Sequence, residues 1–248
     1  MTITSQQNKR LKEIRKLRQR RRWRERTGRF VAEGEDLLAA ADAAGWLAVE
    51  RYCASGSGLP GAEVDSGLLA SASGLGSGTR TLAVYEEQWA ASPAGPLCIY
   101  LHGVHDPGNV GAILRSAEAF GASSVALGPE TADPFSLKAV RASMGAVFAV
   151  PLAKAGDLGS LPGAKIALAP GEGTPLPELW QSASEGSTEN ANVQAVSLLI
   201  GSEREGLPRE VVEQADLIAH IPIRTHSLNA AMATTLALYE LATRMAAR

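Results

Sequence analysis

The chain has 248 residues, of which 45% are hydrophobic and 20% charged, with two cysteines, Cys53 and Cys98. This composition suits an ordinary globular protein of one large or two smaller domains. It excludes a disulfide-stapled scaffold, a cysteine-based zinc site and a membrane span, for which apolar stretches such as Ala146 to Ala153 are too short. The formal net charge of -2 hides a strong asymmetry: between Lys9 and Arg29 twelve cations face only Glu13 and Glu25, leaving the remainder strongly acidic. Charge separated in this way predicts a polyanionic partner for the basic end, with nucleic acid ahead of an anionic membrane surface.

From Gln6 to about Arg26 the absence of Gly and Pro, and the near-helical spacing of Leu11, Ile14 and Leu17, predict a basic helix. Lys9, Arg10, Arg20, Arg21, Arg22 and Arg24 are its candidate phosphate contacts. Trp23 and Phe30 suit either base stacking or core anchoring, and a solvated or frayed arm is the alternative for such a block of like charge. A strand at Phe30 to Ala32, a helix at Glu35 to Ala44, and strands at Trp46 to Tyr52 and Thr81 to Tyr85 follow. The Gly/Ser-rich tract from Ser55 to Gly78 predicts loops with at most one short helix, near Asp65 to Ser71. The Pro/Gly cluster Ser92 to Pro96 sets an expected boundary between domains 1–95 and 96–248.

Beyond it the pattern alternates. Strands are expected at Leu97 to Leu101, Ser124 to Leu127, Val147 to Pro151, Lys165 to Ala169, Ser197 to Gly201 and Leu217 to Ile221. Helices are expected at Val110 to Phe120, Ser136 to Ser143 and Leu228 to Ala246. Such alternation predicts an α/β domain with a largely parallel sheet covered by helices. Ser182 to Asn192 reads as a polar surface insertion. An amino terminus with neither a signal-type apolar core nor transit-peptide serines, and no membrane helix, predicts a cytoplasmic protein without a membrane partner. Scattered histidines predict no metal.

Ligands of open α/β sheets gather beyond the carboxyl ends of strands. Three loops there carry unusual residues: His102 to Ser116, containing Asn109 and Arg115; Ile200-Gly201-Ser202-Glu203 to Pro208; and Ile221-Pro222-Ile223 to Ser227-Leu228-Asn229. Each has a plain structural alternative, since Asn109, Ser227 and Asn229 all suit helix caps. No dinucleotide or phosphate-loop fingerprint is present, which argues against an ordinary nucleotide-dependent α/β enzyme.

Taken in order, the three segments resemble the motifs of the SpoU (TrmH) family of SPOUT-superfamily RNA 2′-O-ribose methyltransferases. Asn109 with Arg115 matches the first motif, Gly201-Ser202-Glu203 with Gly206-Leu207 the second, and Ser227-Leu228-Asn229 with Tyr239-Glu240 the third. Asn8, Lys9 and Arg29 to Glu35 are similar to the opening of a small amino-terminal α/β substrate-binding domain carried by many members. The third segment departs from the pattern: it is short, lacks a Gly after Ile221-Pro222, and continues as Ala230-Ala231-Met232 where Val-Ser-Val is common.

The resemblance implies a carboxy-terminal SPOUT domain with a deep trefoil knot, S-adenosylmethionine as methyl donor, and a homodimer. It implies donor contacts at Ile200, Gly201, Ser202, Ile221, Ile223 and Leu228. Hydroxyl chemistry is implied at Arg115, supported by Asn109, Glu203, Ser227 and Asn229. The implied substrate is RNA, ribosomal first and transfer RNA second. A catalytically inactive RNA-binding or ribosome-assembly protein of the same fold is the alternative, favoured by the shortened third segment.

Overall fold

A computed structural model describes residues 2–74, 78–179, 195–224 and 227–246. The insertion expected at Ser182 to Asn192 and the residues Thr225 and His226 of the third segment lie outside these. Along the chain run α1 (Lys9–Gln19), α2 (Arg21–Thr27), β1 (Arg29–Glu33), α3 (Glu35–Ala43), β2 (Glu50–Ala54), β3 (Ala62–Val64), α4 (Ser66–Ala72) and β4 (Thr81–Glu86). Then come β5 (Leu97–Leu101), α5 (Pro107–Ala119), β6 (Ser124–Leu127), α6 (Leu137–Ser143), α7 (Ala146–Ala149), β7 (Leu152–Lys154) and β8 (Ala164–Leu168). The last elements are β9 (Thr174–Pro175), β10 (Val196–Ile200), α8 (Arg209–Val212), β11 (Leu217–His220) and α9 (Ala230–Ala246). They form two compact units, Met1–Gln88 with Asp133–Ala149, and Trp89–Ala132 with Val150–Arg248.

In the first unit the strands lie in the order β1-β4-β2-β3, antiparallel except for β2 and β3. Side chains alternate between the faces of a strand. Val31 and Val84 therefore join Leu11, Ile14 and Leu17 of α1 in one core. Phe30 and its register partner Tyr85 point the other way, into an aromatic cluster with Trp46, Phe135 and Phe148. Phe30 is fully buried, which assigns it to the core and not to base stacking. The strand expected at Val147 to Pro151 is instead α7 followed by β7. Met144 and Gly145 adopt positive φ, 51° and 106°, and turn Phe148 to within 5.2 Å of the Trp46 ring, whose Nε1 donates to the Phe148 carbonyl. A short apolar run looks alike in helix and strand, so its period could not decide.

The single basic helix expected from Gln6 to Arg26 is broken at Arg20, whose φ of -121° and ψ of 106° are extended. The break turns Arg24 inward. Its guanidinium donates to the Leu17 carbonyl at 2.6 Å and pairs with Asp133 at 2.6 Å, and the residue is only 4% exposed. Arg24 is thereby removed from the expected phosphate contacts. Lys9, Arg10, Arg20, Arg21 and Arg22 stay exposed. Trp23 packs partly against the α1 core, donates from Nε1 to Glu13 at 2.6 Å, and carries Lys16 and Arg26 against its ring. The Gly/Ser-rich tract holds the expected short helix, α4, and also the unexpected strand β3.

Seven strands of the second unit form a sheet, β7-β6-β5-β10-β8-β11-β9, with every strand pairing parallel. All residues of β5 and β10 are buried, as central parallel strands covered on both faces require. The chain leaves β5 toward β6 and β7, then crosses to the other side for β8, β10 and β11. That change of direction places a crevice at the carboxyl ends of β5 and β10, where open sheets hold ligands.

Candidate active site

Each of the three unusual loops leaves the carboxyl end of a strand in this sheet. After β5, Asp106 caps α5 by accepting from the Gly108 amide at 2.8 Å, with Pro107 in the first turn. Asn109, expected as that cap, is the third residue of the helix, within its first turn, and its side-chain amide points elsewhere. Its Nδ2 donates to the Glu203 carboxylate. Its Oδ1 accepts from Asn229 Nδ2 at 3.0 Å. Asn229 in turn caps α9, its Oδ1 accepting from the Ala231 and Met232 amides at 3.0 and 3.3 Å. One polar chain thus joins residues drawn from all three loops. Asn229 is both a cap and a link, so its plain structural alternative and its place in the site coexist.

Beyond β10 the turn closes on itself: Ser202 and Gly206 exchange backbone hydrogen bonds of 3.1 Å, and the Ser202 hydroxyl accepts from the Glu205 amide. Gly206 has φ of 69°, a conformation glycine adopts without strain. Gly201 is required for a different reason, because a Cβ there would collide with the backbone of Gly206 and Leu207. This turn is one wall of a pocket of about 380 Å³, within the range of small-molecule sites, roughly 300 to 1,000 Å³. Ile200, Gly201, Ser202, Ile221, Ile223 and Leu228 all line it, with Glu203 and Ser227. Arg204 and Glu205 of the turn bring one charge of each sign, and Leu168, Ala169 and Pro170 add to the lining from the end of β8. Sequence reasoning misses these three, although Pro170-Gly171 after an expected strand signals a turn at the ligand-bearing edge. Aliphatic walls beside a backbone-rich turn and a carboxylate fit a molecule with one flat apolar part and one polar, cationic part.

Arg115 projects from α5 as an exposed side chain and, among the described residues, has no hydrogen-bond or ion-pair partner. It is not joined to the Asn109 network. Its neighbour Ser116 ties α5 to α9 through Thr235, the hydroxyls 2.6 Å apart. On α9, Ala230, Thr234, Ala237, Leu238 and Leu241 are buried, while Met232, Leu236 and Tyr239 are exposed. At the end of β5, burial, with Asp157 adding, pushes the Tyr100 phenol up from its ordinary value; the hydroxyl lies 3.2 Å from His102 Nδ1. Among the described residues no group of three His, Cys, Asp or Glu is placed to hold a metal, and no helix is long and apolar enough to cross a membrane.

Comparison with known proteins bears on both units. The SpoU rRNA Methylase family matches residues 96–239, and the MRM3-like substrate binding domain matches residues 8–87. The 23S rRNA (guanosine(2553)-2′-O)-methyltransferase RlmP of Bacillus subtilis is 27% identical over 96% of this chain and 98% of its own. An AdoMet-bound rRNA methyltransferase from Sinorhizobium meliloti superposes with a TM-score of 0.83 at 31% identity, covering 99% of this chain and 98% of that one. The SpoU methyltransferase AviRb of Streptomyces viridochromogenes, at 24% identity, shares the fold with a TM-score of 0.82 over 97% and 99% of the two chains. A sheet with its pocket at the carboxyl edge, and a family model spanning more than half of the sequence, lead to one assignment: the chain belongs to the SpoU rRNA methylase family.

Proposed function

We infer that this protein transfers a methyl group from S-adenosylmethionine to a ribose 2′-hydroxyl of ribosomal RNA. The observation that carries the reading is the meeting of three loops at one pocket, tied by the Asn229, Asn109 and Glu203 chain. The donor, AdoMet, is what the S. meliloti relative binds, and the ribosomal substrate is what the name of the B. subtilis relative states. Transfer RNA is the second substrate class. In functional terms we assign residues 1–95 to RNA capture and 96–248 to methyl transfer, in the cytoplasm. The exposed stripe of Met232, Leu236 and Tyr239 supports a homodimer through α9, and a knotted carboxy-terminal segment belongs to the same proposal.

The donor brings a methyl already activated as a sulfonium, so the protein must orient the hydroxyl and manage its proton. Ile200, Ile221, Ile223 and Leu228 would enclose the apolar part of the donor, and Gly201 and Ser202 would offer backbone groups to its polar part. Asn109, Glu203, Ser227 and Asn229 hold the loops in register. Arg115 cannot take the proton, because a guanidinium remains protonated at any physiological pH. It clamps the adjacent phosphate and stabilises the developing alkoxide, while the phosphate or a neighbouring group accepts the proton.

Replacing Arg115 with Ala tests this. Methyl transfer at saturating RNA is expected to fall by about 10²- to 10³-fold, with donor binding by calorimetry unchanged. Loss of donor binding without a specific loss of transfer would remove Arg115 from the chemistry. A wild-type protein that binds RNA but no donor would establish the inactive RNA-binding alternative, to which the short third segment points.

A further inference from the structure

The first unit contains a second, smaller cavity of about 190 Å³ between α1 and the sheet. Its floor is apolar: Ile14, Leu17 and Val84 are at most 5% exposed. Val49, an exposed aliphatic residue, stands at its side. Lys9, Arg10 and Arg29 surround it with positive charge, and Glu13 and Glu50 supply carboxylates. The cations differ in availability. Arg10 faces Glu50 at 3.6 Å and Arg29 faces Glu86 at 3.4 Å, both at solvent-exposed positions. Lys9 has no ion-pair partner among the described residues.

The combination is selective. A bare inorganic anion needs no aliphatic floor, and a lipid chain needs a longer cleft. The volume lies below the roughly 300 Å³ at which drug-sized ligands begin, which suits one planar ring system. An unpaired nucleobase meets all three features: a face that packs on aliphatic groups, an edge with N–H donors for a carboxylate, and phosphates on either side for the cations. Glu13 lines the cavity and supplies an acceptor for such an edge. Its Oε1 is held by Trp23 Nε1, while Oε2 has no hydrogen bond among the described residues.

We propose that this cavity is a docking site for a single unpaired RNA base, read by Glu13 and flanked by phosphates on Lys9, Arg10 and Arg29. An acceptor-only carboxylate favours adenine, cytosine or guanine, whose edges carry an amino group, over uracil, whose edge is mostly carbonyl. The proposal rests on the RNA-methyltransferase reading and adds to it a base-specific subsite apart from the methyl-transfer pocket.

The test titrates the full-length protein with each of the four nucleoside 5′-monophosphates while following the methyl resonances of Val49 and Val84, with inorganic phosphate as control. The three amino-bearing nucleotides are expected to shift both valines at millimolar concentrations, uridine monophosphate several-fold more weakly, and phosphate alone not at all. Glu13→Gln keeps an oxygen for Trp23 and exchanges the open acceptor for a donor, so it is expected to raise uridine relative to cytidine. Val49→Trp fills the cavity from its exposed side. It is expected to raise the half-saturating RNA concentration in the methyl-transfer assay about tenfold, with kcat and donor binding unchanged. Absent valine shifts, equal shifts with phosphate, an unaltered nucleotide ranking in Glu13→Gln, or an unaltered RNA requirement in Val49→Trp would each overturn the subsite. Failure of the methyltransferase reading is separate, because it appears as absent transfer in the wild type.

Discussion

Gly201 shows how a single residue can be fixed by its surroundings. Its backbone conformation is open to other residues, but the returning strand of the turn occupies the space of a side chain. Gly201→Ala must therefore spread the Ser202 and Gly206 pair, a strain on the order of 1–3 kcal/mol by analogy with overpacked cores. Donor affinity measured by calorimetry is expected to fall more than tenfold, whereas Gly206→Ala, which meets no atom within 4 Å, is expected to act through φ strain alone. A turn of this kind is legible in sequence as a glycine after an apolar strand, yet the reason for the glycine is not. Asn109 illustrates the same gap. Its position near the start of α5 suggests a cap, and Asp106, three residues earlier, is the residue that accepts from the helix. Cap preferences of Asp and Asn are nearly equal, so only the fold separates the cap from the linker.

At the scale of elements, the basic amino-terminal region divides into exposed cations and one that is structural. Arg24 and Asp133 are 5% and 11% exposed at their side chains and 2.6 Å apart. Arg24→Ala leaves a carboxylate without its cation and is expected to cost about 3–5 kcal/mol in urea unfolding. Arg22→Ala, at an exposed position, is expected to stay within about 0.5 kcal/mol of wild type. Equal effects of the two substitutions would contradict the assignment. Helices and strands with one clear period are readable: β5 and β6 lie at their expected bounds, and the helix expected from Ser136 to Ser143 is α6, with Ser136 as its cap. The break between α1 and α2 is not readable, since every residue from Lys9 to Arg26 tolerates a helix. What ends α1 is tertiary, the inward turn that brings Arg24 to the Leu17 carbonyl and Asp133. Strand β3 is hidden in the same way, because three residues in a glycine-rich tract carry too little pattern to register.

For the whole molecule, we propose that the basic amino-terminal stretch, set against an acidic remainder, meets the RNA first. Arg20, Arg21 and Arg22 are exposed together around the break between α1 and α2. Neutralising all three is expected to weaken RNA binding and to reduce the slope of log affinity against log salt by about 0.7–0.9 for each phosphate that these side chains neutralise. A slope that does not change would assign these charges to another task. The chain path of the first unit has a separate consequence. Phe30, Trp46 and Tyr85 belong to the amino-terminal stretch, but the rings they pack on, Phe135 and Phe148, are supplied by Asp133–Ala149. During synthesis the amino-terminal body cannot close its aromatic core until Phe148 has left the ribosome, when more than half of the protein exists. The order of translation thus delays the first unit until β5, α5 and β6 of the other unit have already been made.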